Sequence, residues 1–219
     1  MAEIYVVRHG QAAFGTDNYD RLTDVGWEQA RLLGEYFRSI GLEFDATFNG
    51  TMRRHRETLA GVRDVLPATP SATELPGLNE YDFHALLDLY VPQQGLEVDR
   101  SDPRAFYRCL RDVLIAWNRD EIDGVSETWA QFEGRVIDTM EAISQPSGKV
   151  LVVTSGGASS AILRRVLGVD VATMVELNLQ ARNTGISRYF AKKQRFKLNS
   201  FNGVPHLEKP QDRHLITYT

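Results

Sequence analysis

The chain has 219 residues, 42% of them apolar and 25% charged, which is enough to bury one sizeable core and is read as one elaborated domain. A formal net charge of -4 without a basic cluster offers no broad attraction to nucleic acid or an anionic membrane. No apolar run reaches bilayer length, the short apolar start lacks a basic leader, and the single cysteine, Cys109, excludes an internal disulfide. Together these make a soluble, cytoplasmic protein the default expectation.

The first strong signal is Glu3 to Gln11. Ile4, Tyr5, Val6 and Val7 read as a strand buried on both faces, ending in Arg8, His9 and Gly10. Ligands in open α/β sheets bind beyond the carboxyl ends of strands, so Arg8 and His9 stand where chemistry is expected. Ala12 to Arg21 reads as a loop, after which Thr23 caps a helix with apolar residues at Ala30, Leu33, Phe37 and Ile40, stopped by Gly41. Ala46 to Phe48 form a second strand, expected beside the first and parallel to it in a right-handed βαβ unit.

Arg8-His9-Gly10, followed by Leu22, Thr23, Gly26, Gln29 and Ala30 at the spacing Leu-Thr-x-x-Gly-x-x-Gln-Ala, resembles the histidine phosphatase superfamily, the phosphoglycerate mutase-like proteins. The resemblance implies a three-layer α/β sandwich: a mostly parallel sheet, helices on both faces, and a helical insertion covering the pocket at about residues 84 to 147. It implies His9 as nucleophile. Thr51 to Thr58 is similar to the family's Ser-x-Leu-x-Arg-Ala-x-x-Thr-Ala, which selects Arg54 rather than Arg53 or Arg56 as a phosphate ligand. Here Gly50 takes the serine's place and His55 the alanine's. Within Glu74 to Phe83, Glu80 takes the place of the acid that protonates the leaving group, with Asp82 as the alternative.

Helical patterns continue through Ser147. Pro103 opens one helix with Phe106, Leu110, Val113, Leu114 and Trp117 on its apolar face, and Ser126 is the expected cap of the next, which carries Trp129, Phe132, Val136, Met140 and Ile143. Tyr90 to Arg100, rich in Pro, Gln and Gly, is expected to be the mobile part of the insertion. Val150 to Thr154 repeats the strand signal, then Ser155, Gly156 and Gly157 open a helix that ends at Gly168. Where the family has a second histidine on the phosphoryl group, this chain has Ser155. Arg182 to Phe190 and Phe196 to Phe201 read as closing strands, and Asn202 to Leu207 is similar to the family's terminal Asn-x-x-x-His-Leu.

On this resemblance Arg8, Arg54, Gln11, Ser155 and Gly156 would hold the phosphoryl oxygens, and His84 is the first candidate to replace the missing imidazole, ahead of His55, His206 and His214. The expected ligand is a small phosphorylated molecule or phosphate, without cofactor or metal, nucleic acid or membrane. The leading expectation is a phosphohydrolase working through phosphohistidine. Because of Ser155, a phospho-ligand or phosphoprotein binding module is the alternative, and mutase-type phosphotransfer the third reading. Substrate and oligomeric state are not written in the sequence.

Overall fold

In the computed structural model of the chain, residues 1–13, 19–99 and 102–218 are described. The expected loop residues Gly15 to Asn18, and Arg100, lie outside them. Strand β1 is Ala2–Arg8, β2 Ala46–Asn49, β3 Thr73–Glu74, β4 Gly148–Thr154, β5 Ile186–Lys192 and β6 Arg195–Gly203. They form one sheet in the order β3-β2-β4-β1-β5-β6. The β1–β4, β2–β4 and β2–β3 pairs are parallel, while β1–β5 and β5–β6 are antiparallel.

Strand periodicity accounts for the layers. Successive side chains point to opposite faces, and Ile4 and Val6 accordingly join one apolar cluster while Tyr5 and Val7 join another. In β4, Val150 and Val152 divide from Leu151 and Val153 in the same way. Helices α1 (Asp24–Ser39) and α2 (Arg53–Val65) cover one face through Leu33, Phe37, Leu59 and Val62. The other face is covered from α4 (Pro103–Asn118), α5 (Trp129–Ser144), α6 (Gly156–Leu167) and α7 (Val171–Leu179), with Val113, Trp117, Phe132, Ile162 and Met174 among the buried residues. Helix α3 (Phe83–Gln93) joins that side through Leu86 and Leu87. The result is the expected three-layer α/β sandwich with helices on both faces.

Several local expectations are corrected. The second strand does not lie beside the first: β4 is inserted between β1 and β2, because the core of the sheet is completed by a strand about a hundred residues further along the chain. Ile40 is 52% exposed, standing at the C-cap of α1 outside its buried face. Thr128, not Ser126, caps α5, in a capping box with Gln131. Within the stretch expected to be mobile, Tyr90 to Gln93 form the last turn of α3, Pro92 being tolerated near the helix end. Strand β5 begins only at Ile186, because Arg182 to Gly185 form a turn with Thr184 at positive φ. Helix α7, absent from the sequence reading, is opened by Asp170, whose side chain accepts from the Thr173 N–H at 2.7 Å.

The chain end is tied to the sheet by a buried imidazole. His206 Nε2 lies 2.8 Å from the Thr184 hydroxyl, and burial pushes its pKa down from 6.5 to about 3. The unfolded chain therefore takes a proton near pH 6.5 that the folded chain refuses. The stability His206 lends is full above that pH and is lost as pH falls toward 3, by about 1.4 kcal/mol per pH unit. Urea unfolding followed from neutral pH to roughly pH 4.5 should show this slope, and His206→Gln should flatten it by close to one proton. Equal slopes in the two proteins would refute the assignment.

Candidate active site

Three neighbouring strand ends build the site. The register Arg8 opposite Thr154 and Asn49 opposite Val153 brings the residues that follow, His9, Ser155 and Gly50, to the same edge of the sheet. The His9 N–H donates to the Thr154 carbonyl at 2.8 Å, and the Gly50 N–H to the Val153 carbonyl at 3.2 Å. Behind His9, its carbonyl accepts from Asn183 Nδ2 at 3.2 Å and from the Thr184 N–H at 3.3 Å. The loop after His9 lies on the first turn of α1 so closely that a Cβ on Gly10 would stand 2.5 Å from the Gly26 carbonyl oxygen. Only glycine fits there.

His9 is 2% exposed. Its Nδ1 lies 2.7 Å from the Gly10 carbonyl, an acceptor only, so Nδ1 carries the proton and donates. Nε2 is then a lone pair, and it accepts from Arg54 Nε at 3.1 Å. Burial, and after it the Arg54 and Arg8 guanidiniums, hold the pKa of His9 well below 6.5, so the ring is neutral near pH 7. Arg54, 3% exposed on the first turn of α2, pairs through Nη1 with Asp20 Oδ1 at 2.8 Å. Arg53 and Arg56 point away, in exposed pairs with Glu57 and Glu74.

Arg8 donates through Nη1 to the carbonyls of Ala181 and Tyr218, while its Nε is buried and has no hydrogen-bond partner. That guanidinium lines a cavity of about 80 Å³ together with Glu80, Tyr19, Phe106, Tyr107 and Gly156. Glu80 Oε2 accepts from the Gly157 N–H, at the N-terminus of α6, at 3.0 Å; its Oε1 is enclosed and without a partner. Burial raises the pKa of Glu80, opposed by that N–H and by Arg54 and Arg8. Asp82 is exposed and capped onto α3, accepting from the Ala85 N–H at 3.0 Å.

Of the remaining candidates, Gln11 has its Oε1 engaged by the Thr23 hydroxyl at 2.8 Å. A Cβ at Gly156 would stand 2.8 Å from Asn178 Oδ1, with Arg8 Nε at 3.4 Å. His84 is not drawn to Ser155: it is exposed on α3, its ring 4.1 Å from that of Phe83 and 5.9 Å from that of Tyr19. His55 meets Ser155 instead, Nε2 to Oγ at 2.7 Å. As the third residue of α2, His55 points under the helix toward β4, whereas His84 starts a helix that faces solvent there. His206 backs the sheet as described, and His214 lies in a short 3-10 turn near the chain end.

Two supporting residues, Asp20 and Arg135, carried no signal in the sequence, while Thr58 ends the motif that selected Arg54. Asp20 orients Arg54, and Arg135 reaches from α5 to the Gly77 and Asn79 carbonyls at 3.1 and 2.8 Å, fixing the segment that carries Glu80. Thr58 donates to the Arg54 carbonyl at 2.7 Å and accepts from the Gly10 N–H at 3.0 Å. Among the described residues no three His, Cys, Asp or Glu side chains form a metal-holding group, and no helix is long and apolar enough to cross a membrane.

At this edge of the sheet a buried histidine, held neutral, stands in the field of Arg54 and Arg8, and the same two guanidiniums act on the raised-pKa carboxyl of Glu80. Residues 4–203 match the model of the histidine phosphatase superfamily (branch 1), and the chain belongs to that family. The 2,3-bisphosphoglycerate-dependent phosphoglycerate mutase of Nitrosococcus oceani is 25% identical over 94% of this chain and 96% of its own. The phosphoglycerate mutase of Bacillus anthracis superposes with a TM-score of 0.68 at 17% identity, covering 94% of each chain. A mutant phosphoserine phosphatase of Entamoeba histolytica, solved with phosphoserine, gives 0.65 at 17% identity over 94% of this chain and 100% of that one. At such identities the structural likeness carries the fold, which is phosphoglycerate mutase-like, and relatives and neighbours alike are phosphatases or mutases.

The Thr58 hydroxyl joins the His9 loop to the Arg54 turn, so the near-isosteric Thr58→Val leaves the buried Gly10 N–H without its acceptor. It should cost about 1–3 kcal/mol in urea unfolding. A loss below roughly 0.5 kcal/mol would show that this tie does not hold the site together.

Proposed function

We propose that the protein is a phosphohydrolase that moves a phosphoryl group from a small phosphomonoester to His9 and then to water. The observation that carries this reading is the fixed tautomer of His9: Nδ1–H is spent on the Gly10 carbonyl, leaving the Nε2 lone pair to act as nucleophile. When the anion arrives, the Arg54 Nε–H transfers from Nε2 to a phosphoryl oxygen. Arg8, with its unpartnered Nε, takes another. Nε2 attacks phosphorus as the bond to the alcohol oxygen breaks, and Glu80 gives that oxygen its proton. The Glu80 carboxylate then takes a proton from water, which attacks phosphorus; the P–N bond breaks, and His9 returns neutral beside inorganic phosphate. Protein groups and water suffice for these steps.

The alternative, a phospho-ligand binding module, is prompted by Ser155, but anion binding alone has no use for an enclosed carboxyl of raised pKa. A mutase reading is prompted by the names of the sequence relatives. It would need the phosphoenzyme to outlast the first product. The cavity speaks to the substrate: Tyr19, Phe83, Phe106, Tyr107, Leu110 and Leu179 line the space beyond Arg8 and Glu80. Such a lining favours an apolar or aromatic alcohol part over a second anionic group.

Incubation with a reactive aryl phosphate should yield an acid-labile phosphohistidine that His9→Ala does not form, with turnover falling by more than about 1,000-fold. Absence of this species in the wild-type protein would favour the binding module. The pH profile has a definite sign. Activity should fall on the alkaline side as Glu80 loses the proton it must donate, and Glu80→Gln should be slow and lack that limb. Naphthyl phosphate should exceed 3-phosphoglycerate by about 10-fold or more in kcat/KM, a margin that Phe106→Ala should shrink. The reverse preference would refute the substrate class.

A further inference from the structure

His55 takes no part in the steps above, yet it is fully buried beside the nucleophile, its ring centroid 5.7 Å from that of His9 and its plane inclined by 37°. Burial, with Arg54 next, holds it neutral. A buried imidazole is costly to place unless its polar atoms are satisfied, and three residues are arranged around this one. Its Nε2 lies 2.7 Å from Ser155 Oγ. Its room comes from Gly50, where a Cβ would stand 2.3 Å from His55 Nδ1. Ser155 sits at the N-cap of α6, where a hydroxyl ordinarily accepts from the first turn; it makes no such bond and turns to His55 instead.

Against the lowering by burial and Arg54, the Gly50 backbone acts on His55 to raise its pKa, but no hydrogen bond closes at Nδ1, which is buried without a partner. The tautomer used below carries its proton at Nε2, whose N–H donates to Ser155 Oγ. The Ser155 proton is then left to point elsewhere. Ser155 follows β4 as His9 follows β1, at the edge where the first N–H groups of α6 also emerge.

We propose that His55 is a positioning residue of the phosphoryl site: it holds the Ser155 hydroxyl so that its O–H donates to an oxygen of the group bound at His9, with Gly50 as the space that admits it. The inference rests on the phosphoryl-transfer reading of the site. The pair replaces what a single side chain from β4 would supply, a donor fixed beside the nucleophile, and it draws the imidazole from α2.

Inorganic phosphate is the probe, titrated by calorimetry, with turnover of an aryl phosphate measured in parallel. His55→Ala and Ser155→Ala should each weaken phosphate binding by about 10-fold and lower kcat by roughly 10 to 1,000-fold, the scale of one pre-organised donor. The double variant should do no worse than either single one, since both remove the same bond. His55→Gln, which keeps an N–H donor, should stay within a few-fold of wild type. Ser155→His alone should be flat or slower, because the added imidazole meets His55, whereas in the His55→Ala background it should restore at least about 10-fold of the lost rate. A role in core packing alone predicts no such rescue.

Phosphate affinity of His55→Ala within twofold of wild type, or losses that simply add with Ser155→Ala, would overturn the proposal. Should His55→Ala fail to fold, His55→Gln against Ser155→Ala decides the same point. If the wild-type protein binds phosphate without turning over, the titrations still test His55, while the phosphohydrolase reading alone falls.

Discussion

The site depends on burying positive charge around an imidazole. Two guanidiniums, Arg8 and the buried Arg54, act on His9, and among the described residues the carboxylates that meet them are Asp20, which pairs with Arg54, and Glu80. In such a field protonating His9 would add a third cation to an enclosed space, so the ring stays neutral. The same field would ordinarily pull a nearby carboxyl toward ionisation, yet Glu80 is shifted upward because its burial outweighs the attraction. One environment thus shifts His9 and Glu80 in opposite directions, the pattern that the proposed reading needs to separate a base role from an acid role.

Strand topology makes this possible at little local cost. Residues 9, 50 and 155 arrive from three separate stretches, and parallel pairing around β4 sets their backbones side by side. His9 and Arg54 belong to strands that are not neighbours, and the reach of an arginine from the first turn of α2 spans the intervening β4. Loop contacts then remove the remaining freedom, through Thr58 to Gly10 and through Arg135 to the segment carrying Glu80.

Much of this was legible because it is written in local pattern. The β-branched runs in β1 and β4 and the Thr23 cap of α1 announce themselves in a few residues, as does the glycine where α1 meets the His9 loop. Strand order was not, since nothing local in Ala46 to Asn49 records that a distant strand will intervene. Helix α7 escaped because Val171, Met174 and Val175 make only a short stripe after Asp170. Asp20 and Arg135 were illegible for a different reason: a lone polar residue takes its meaning from a partner far away in the chain.

His55 shows how far a departure from pattern can be read. Taken singly, Gly50, His55 and Ser155 look like three losses of fit to a motif. Packed together, each explains another: the missing side chain at 50 admits the ring at 55, and the hydroxyl at 155 receives its nitrogen. Proximity in sequence favoured His84, four residues from Glu80, but a helix start that faces solvent sends that ring to Tyr19 and Phe83. His55 is adjacent to Arg54, and on the first turn of a helix pressed against the sheet both side chains are carried inward, one to each neighbouring strand end. Complementary changes in volume and hydrogen bonding identify the histidine that serves the site more surely than distance along the chain, because a buried polar group persists only where another group satisfies it.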